Sequence, residues 1–260
     1  MPAPLRSLLA RGAGSAVVSG FVLVAMLTVV GKLAAFVKDA VVAAKLGTAD
    51  ELDAFMLVFG FLSFASTVLA GGLPESFVPA YAELRERRGL RRADRLGVQC
   101  AAWQFVALLV CALGISLMAP ALVSWATHGF PAQKQALAVR FLHSLLPFLL
   151  CFGLSYHLSA WLRAGKSFLL AAAAPVLVPL GIIAAIMHDG DQVSAWTLVA
   201  GTVWGAGAHV TVLLIALGRR LPRKTRWWRC CLQHWEPGLR PVLRNALPFL
   251  VGGIVFGSAA

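Results

Sequence analysis

Apolar residues come in long unbroken runs along this chain, separated by short polar or basic stretches. A bilayer core ~30 Å thick is crossed by ~20 mostly apolar residues in a helix. Six runs meet that length: residues 13–46, 52–81, 98–127, 136–161, 168–187 and 193–218. A seventh begins near Val242 and is still apolar at Ala260, so the chain is expected to stop inside a helix. The pattern predicts an all-α polytopic bundle. It divides into a six-span lobe over 1–218, a basic amphipathic linker over 219–241 and the start of a seventh span over 242–260.

Composition agrees. Of 260 residues, 59% are hydrophobic and only 13% charged, with a mean hydropathy of +0.79. Soluble domains carry about 25% charged residues, so a soluble enzyme or a soluble nucleic-acid binder is excluded, despite the net charge of +12. Arg6 and Arg11 ahead of an apolar run resemble a signal peptide. The run is longer than such a segment and more spans follow, so a retained first helix is expected. Cys100, Cys111 and Cys151 sit in apolar runs as small hydrophobes. Cys230 and Cys231 are adjacent, no C-x-x-C occurs, and neither a metal site nor a disulfide framework is expected.

The basic residues orient the spans. Eighteen of 23 fall before span one or in the links after spans two, four and six, including Arg85, Arg87, Arg88, Arg91, Arg92, Arg95, Arg163 and Lys166. The positive-inside rule makes that side cytoplasmic and places the N-terminus there. The opposite links hold Asp50, Glu51, Asp189 and Asp191. Trp125 and Trp196 near outer span ends, and Trp161 near an inner one, fit interfacial belts. The linker, with Trp227, Trp228 and Trp235 among its cations, reads as a segment lying on the inner surface, attracted by anionic lipids.

Five cations remain: Lys32, Lys38, Lys45, Lys134 and Arg140. A cation at the bilayer centre costs ~2.5–3.5 kcal/mol on insertion scales and normally faces protein or water. Lys32 and Asp39 share nearly one helical face, as do Lys38 and Lys45. Two readings stay open: a long first helix with cavity-facing charges, or a span that ends at Gly31 with the lysines flanking it. The unbroken pattern up to Gly47 favours the first. Span two carries Asp53 at its start and Gly71, Gly72, Pro74, Glu75 and Pro79 near its other end, where Gly and Pro are expected to interrupt a helix lining a cavity. Arg140 and His143 are placed at the outer mouth. Tyr156, His157 and His209 are placed as polar contacts between helices. No phosphate-binding loop, zinc-protease or nucleophile-elbow motif is present, and no catalytic residue or cofactor is expected.

Four segments together resemble the MurJ/MviN family of lipid II flippases, within the multidrug, oligosaccharidyl-lipid and polysaccharide exporters. Residues 31–39 (GKLAAFVKD) look like the family's S-R-x-L-G-F-x-R-D. DAF at 53–55 and FVPAY at 77–81 mark the second segment. Residues 163–176 (RAGKSFLLAAAAPV) are similar to N-A-x-G-R-F-x-x-P-A-x-A-P-V, and 236–252 (EPGLRPVLRNALPFLVG) to P-G-V-R-R-V-L-R-x-x-L-P-A-L-x-G. The resemblance implies a fourteen-helix, two-lobed fold that moves a polyprenyl-pyrophosphate-linked saccharide across the inner membrane by alternating access. This chain would supply the N-terminal lobe, with a C-terminal lobe or partner half expected to complete it.

Carried over position by position, the family's two arginines fall on Lys32 and Lys38 and its aspartate on Asp39; Asp53 matches. An arginine on its second helix falls on Gly60, and a glutamate at or beside Gly71. Lysine gives a point charge where arginine gives a bidentate fork. The implied substrate site is therefore Lys32, Lys38, Asp39 and Asp53, with Glu75, Gly71, Gly72 and Pro74 as cavity or gating positions. The substrate is lipid II or a related lipid-linked saccharide. The rival readings are a MATE-like drug exporter, which needs an acidic cavity, and a membrane scaffold, whose intramembrane charges would be dispensable.

Overall fold

The computed structural model describes residues 3–47, 50–127, 129–220, 236–246 and 248, with side chains from Val22 onward apart from 23. It is all-helical among those residues: α1 (Ala3–Leu46), α2 (Asp50–Arg88), α3 (Leu90–Leu117), α4 (Ala119–Ala126), α5 (Ala132–Ala164), α6 (Phe168–Ala173), a 3₁₀ turn (Ala174–Val176), α7 (Leu177–Asp189) and α8 (Ala195–Arg220). Five stretches are long and apolar enough to cross a membrane: α2, α3, α5, Phe168–Asp189 and α8. The first expected span lies within the 44-residue α1. Most of the expected linker, 221–235, lies outside the described residues.

Local chemistry accounts for the helix ends. Asp50, Glu51 and Asp53 occupy the first turn of α2, and Arg85, Arg87 and Arg88 its last, each sign matching the helix dipole. Gly47, with φ 57°, closes α1, the left-handed turn that glycine adopts without a Cβ clash. Two expectations are corrected here. α2 runs unbroken through Pro74 and Pro79: each ring removes a single N–H, the partner of the carbonyl four residues before it, and the flanking turns carry the helix through. The third apolar run is instead two helices, because α3 ends at Leu117 and Pro120 starts a separate α4.

α5 is the central helix, packed against α2, α3 and α8, while α8 packs closely on α7. Two buried clusters fill the bundle. One, with Phe55, Val58, Phe141, Phe148 and Ile182, lies toward the end that bears Asp50 and Gly190. The other, with Phe77, Tyr81, Leu96, Trp161 and Leu213, lies toward the end rich in arginine and also takes in Leu239 and Val242. Trp161 belongs to this second cluster, 3% exposed, and donates to Asp94 at 3.4 Å. It is a packing residue and not the expected interfacial anchor.

The α7–α8 seam is tight because its facing positions have no side chain. A Cβ on Gly181 would lie 2.7 Å from the Gly201 carbonyl, and one on Gly205 2.8 Å from that of Leu177. Gly201 and Gly205 form a G-x-x-x-G pair, the spacing that lets membrane helices approach backbone to backbone. Gly201→Val is expected to cost about 1–3 kcal/mol as an overpacked contact, read as a lower unfolding temperature in detergent. Gly207→Val, in open space on the same helix, is expected to be near neutral.

Candidate functional site

α1 packs on α6, the 3₁₀ turn and α7, and the two run parallel. Gly31 lies against Val176, 3.6 Å from a Cβ position to the valine methyl, and Lys45 reaches Asp191 at 3.2 Å and the Gly190 carbonyl at 3.2 Å. The offset of about 145 residues is constant along the seam, so residues 24–45 of α1 lie beside the fifth crossing. At 1.5 Å per residue that stretch spans ~33 Å, and Lys32 and Lys38 both fall within about 5 Å of its middle. These two lysines lie level with the middle of the fifth crossing.

Toward the other side α1 stands away from the bundle. Val42, 4% exposed, joins the buried cluster of α2 and α5, whereas residues 24–40 bury no side chain fully. The space left between α1, α2, α5 and the bent fifth crossing is a cavity of about 620 Å³. Pro175 and Pro179, which lack the N–H that a helix interior needs, lie on its wall beside the 3₁₀ turn. The interrupted helix at the cavity is thus the fifth crossing, not α2. Phe59, Phe148 and Phe152 supply an aromatic wall.

Among the described residues, three charged side chains line this cavity: Lys32, Lys38 and Arg163. No carboxylate is among its lining residues. The Lys38 side chain is 14% exposed and its ammonium lies 2.6 Å from Asp39 and 5.8 Å from the centre of the Phe59 ring, within cation–π range. Lys32 and Arg163 have no hydrogen-bond or ion-pair partner among the described residues. Arg163, placed in a cytoplasmic link by its position after span four, is the cation that sequence reasoning missed as a cavity residue. Its legible signal was its place at the end of a span directly before the segment 168–176.

The other expected site residues lie elsewhere. Asp53 is at the far end of α2, where it and Asp50 accept from the Lys134 ammonium at 2.9 and 2.8 Å. Glu75 is exposed, Gly71 half-buried, and Gly72 and Pro74 buried; none lines the cavity, nor does Gly60. Arg140 is exposed, and the His143 ring lies 2.9 Å from the Val139 carbonyl and 3.3 Å from that of Ser116. Tyr156 bonds Thr67 across α2 and α5 at 3.1 Å, and His157 meets the Gly97 carbonyl at 3.0 Å. His209, 2% exposed, has neither ring nitrogen bonded among the described residues. No group of three or more His, Cys, Asp or Glu among the described residues is arranged to hold a metal.

Residues 42–256 match the family described as "Lipid II flippase MurJ". The chain belongs to the MurJ family. Its curated relatives include a probable lipid II flippase MurJ from Rhizobium tropici, 29% identical over 91% of this chain and 45% of the relative, and one from Rhizobium meliloti, 28% identical over the same shares. The chain therefore spans about half the length of these MurJ relatives. Among solved structures, its fold is similar to that of a lipid II flippase MurJ in an inward closed conformation, with TM-score 0.66, 15% identity and cover of 90% of this chain and 48% of that one. It is also similar to a transporter of the MOP superfamily from Pyrococcus furiosus, with TM-score 0.69, 16% identity and cover of 90% and 52%. This MurJ-family chain is a multi-pass membrane protein of a transporter fold. The family match begins at Val42, after the segment that carries Lys32 and Lys38.

Two outcomes are expected. In membranes, with the native cysteines replaced, Lys32→Cys and Lys38→Cys should react with a charged, water-soluble thiol reagent. Phe36→Cys, on the outward face at 70% exposure, should not; equal labelling of all three would place the lysines outside a wet cavity. The ends of the bundle supply a pH signature. Hydrogen bonds from Thr197 and His188 hold the Asp189 carboxyl below its usual 3.8, and those to Asp50 and Asp53 hold Lys134 above 10.5. A lowered carboxyl stabilises above its unfolded value and loses that contribution as pH falls through the folded one. The difference in unfolding temperature between the wild type and Asp189→Asn is therefore expected to be constant at neutral pH and to shrink as pH falls below 3.8.

Proposed function

We propose that this chain is the N-terminal lobe of an exporter that moves a polyprenyl-diphosphate-linked saccharide, lipid II or a close chemical relative, outward across the bacterial inner membrane. The observation that carries this reading is the cavity whose charged lining is Lys32, Lys38 and Arg163, with no carboxylate among the lining residues. A diphosphate is the group that such a lining suits. Its oxygens accept charge-assisted hydrogen bonds from ammonium and guanidinium groups, and those cations are otherwise expensive at this depth. The names of the relatives support the same substrate class. A drug-cation exporter would want the opposite sign.

In this reading the arginine-rich end is cytoplasmic, with the N-terminus on the same side, and the basic residues of 219–241 are drawn to anionic lipid headgroups. Asp39 holds Lys38 while the cavity is empty and yields it to the incoming phosphate. The prenyl tail stays in the bilayer at the open side of α1, and a second lobe completes the cavity. No covalent bond changes. Transport follows from differential stabilisation of two conformations, to which the ligand contributes only by its unequal affinity for them.

The test is translocation of a fluorescent lipid-linked saccharide in proteoliposomes made with the full-length protein. Lys38→Gln and Lys32→Gln are each expected to lower the rate at least tenfold, about 1.4 kcal/mol in the rate-limiting state. Lys38→Arg, which keeps the charge, is expected to transport. Unchanged rates in both Gln variants would remove the diphosphate from the cavity.

A further inference from the structure

The turn that carries Arg163 is held with unusual completeness. α5 ends in a Schellman arrangement: the Ser167 N–H donates to the Leu162 carbonyl at 2.9 Å and the Lys166 N–H to that of Arg163 at 2.8 Å. Lys166 occupies the left-handed position at φ 67°, where glycine is usual. A second helix then reinforces the turn. Arg220, at the end of α8, donates to the Leu162 carbonyl at 3.2 Å and also to that of Gly165. A Cβ on Gly165 would collide with the Arg220 guanidinium, so the glycine is what admits it.

Arg220 does not line the cavity, but Arg163, within this turn, and Phe168, the first residue of α6 just after it, do. Together they form the rim at the arginine-rich end, since α1 contributes Val24 and Leu27 at the same level and Lys38 at the deeper one. Arg163 is exposed, and its guanidinium offers the planar fork for a diphosphate that neither cavity lysine provides. It is the outermost of the three cations, reached first by a charged group arriving from that end.

We propose that Arg163 makes the first contact with the diphosphate at the cavity rim, ahead of Lys32 and Lys38, and that Arg220 is its positioning residue. This rests on the diphosphate reading above. The sequence of contacts then runs from a bidentate guanidinium at the mouth to point charges within. Arg220 acts on the ligand only through the backbone of residues 162–167.

The experiment measures binding of farnesyl diphosphate to the purified full chain in nanodiscs, with thermal unfolding recorded for every variant. Arg163→Gln is expected to raise Kd about tenfold without lowering the unfolding temperature. Arg220→Met is expected to raise Kd about threefold, and the double variant to bind no more weakly than Arg163→Gln alone, because a positioning residue has nothing left to position. Wild-type affinity in Arg163→Gln, with weakened binding in Lys32→Gln and Lys38→Gln, would overturn this proposal and leave the diphosphate reading standing. Wild-type affinity in all three would overturn that reading itself. Additive losses in the double variant would show that Arg220 acts independently and would overturn its positioning role; should Arg220→Met fail to fold, Arg220→Lys is used in the same cycle.

Discussion

The fold is organised around the cost of keeping two ammonium groups near the middle of a bilayer. Each would cost ~2.5–3.5 kcal/mol in hydrocarbon, and the arrangement of α1 avoids that environment. One side of the helix lies along the fifth crossing, and its junction with the bundle closes only at Val42. The lysines therefore look into a space of about 620 Å³. The bend at Pro175 makes room for that space, and Phe59 and Asp39 give Lys38 a face and a counter-charge.

The rest of the bundle supplies a frame rigid enough to hold the opening. Backbone contact across Gly181, Gly201 and Gly205 fixes α7 to α8, and α5 ties α8 to α2 and α3. At the arginine-rich end, Glu236, 6% exposed, accepts from Arg95 at 3.3 Å, and its N–H donates to Gln99 at 3.1 Å. The helical segment that follows, with Leu239 and Val242 in the second cluster, is thereby seated on α3. The Arg95 pair supplies the buried carboxylate with a counter-charge, and the separate bond from the Glu236 backbone to Gln99 fixes the start of that segment.

Much of the bundle was legible in the sequence, because bilayer thickness dictates run length and arginine marks the ends. The crossings of α2, α5 and α8 follow directly from that pattern. The break at Leu117 was not legible, since the run 98–127 stays apolar through it. Pro74 and Pro79 misled in the other direction: each removes only one bond of the helical ladder, and α2, with Leu73, Pro74 and Phe77 buried around the first of them, stays continuous through both. The G-x-x-x-G at 201–205 acquires its meaning only in the tertiary structure, where Gly181 lies opposite it. In the candidate site, the lysines were found from the cost of burying charge. Arg163 was not, because at the end of a span a cation has no such cost, and only the tertiary position of the 162–167 turn brings it to the rim. Asp53 shows the converse: a position that matched a motif turned out to neutralise Lys134.

The parallel pairing of α1 with a segment some 145 residues downstream has a consequence for biosynthesis. Neighbouring antiparallel helices can dock as soon as both leave the ribosome, but this seam cannot begin to form until Phe168–Asp189 has been made. At ~5–20 residues per second the interval is roughly 7–30 s. Throughout it the nascent chain carries Lys32 and Lys38 on a helix without its mate, so the insertion machinery, or water retained in its channel, must shelter those two charges before the protein can do so itself.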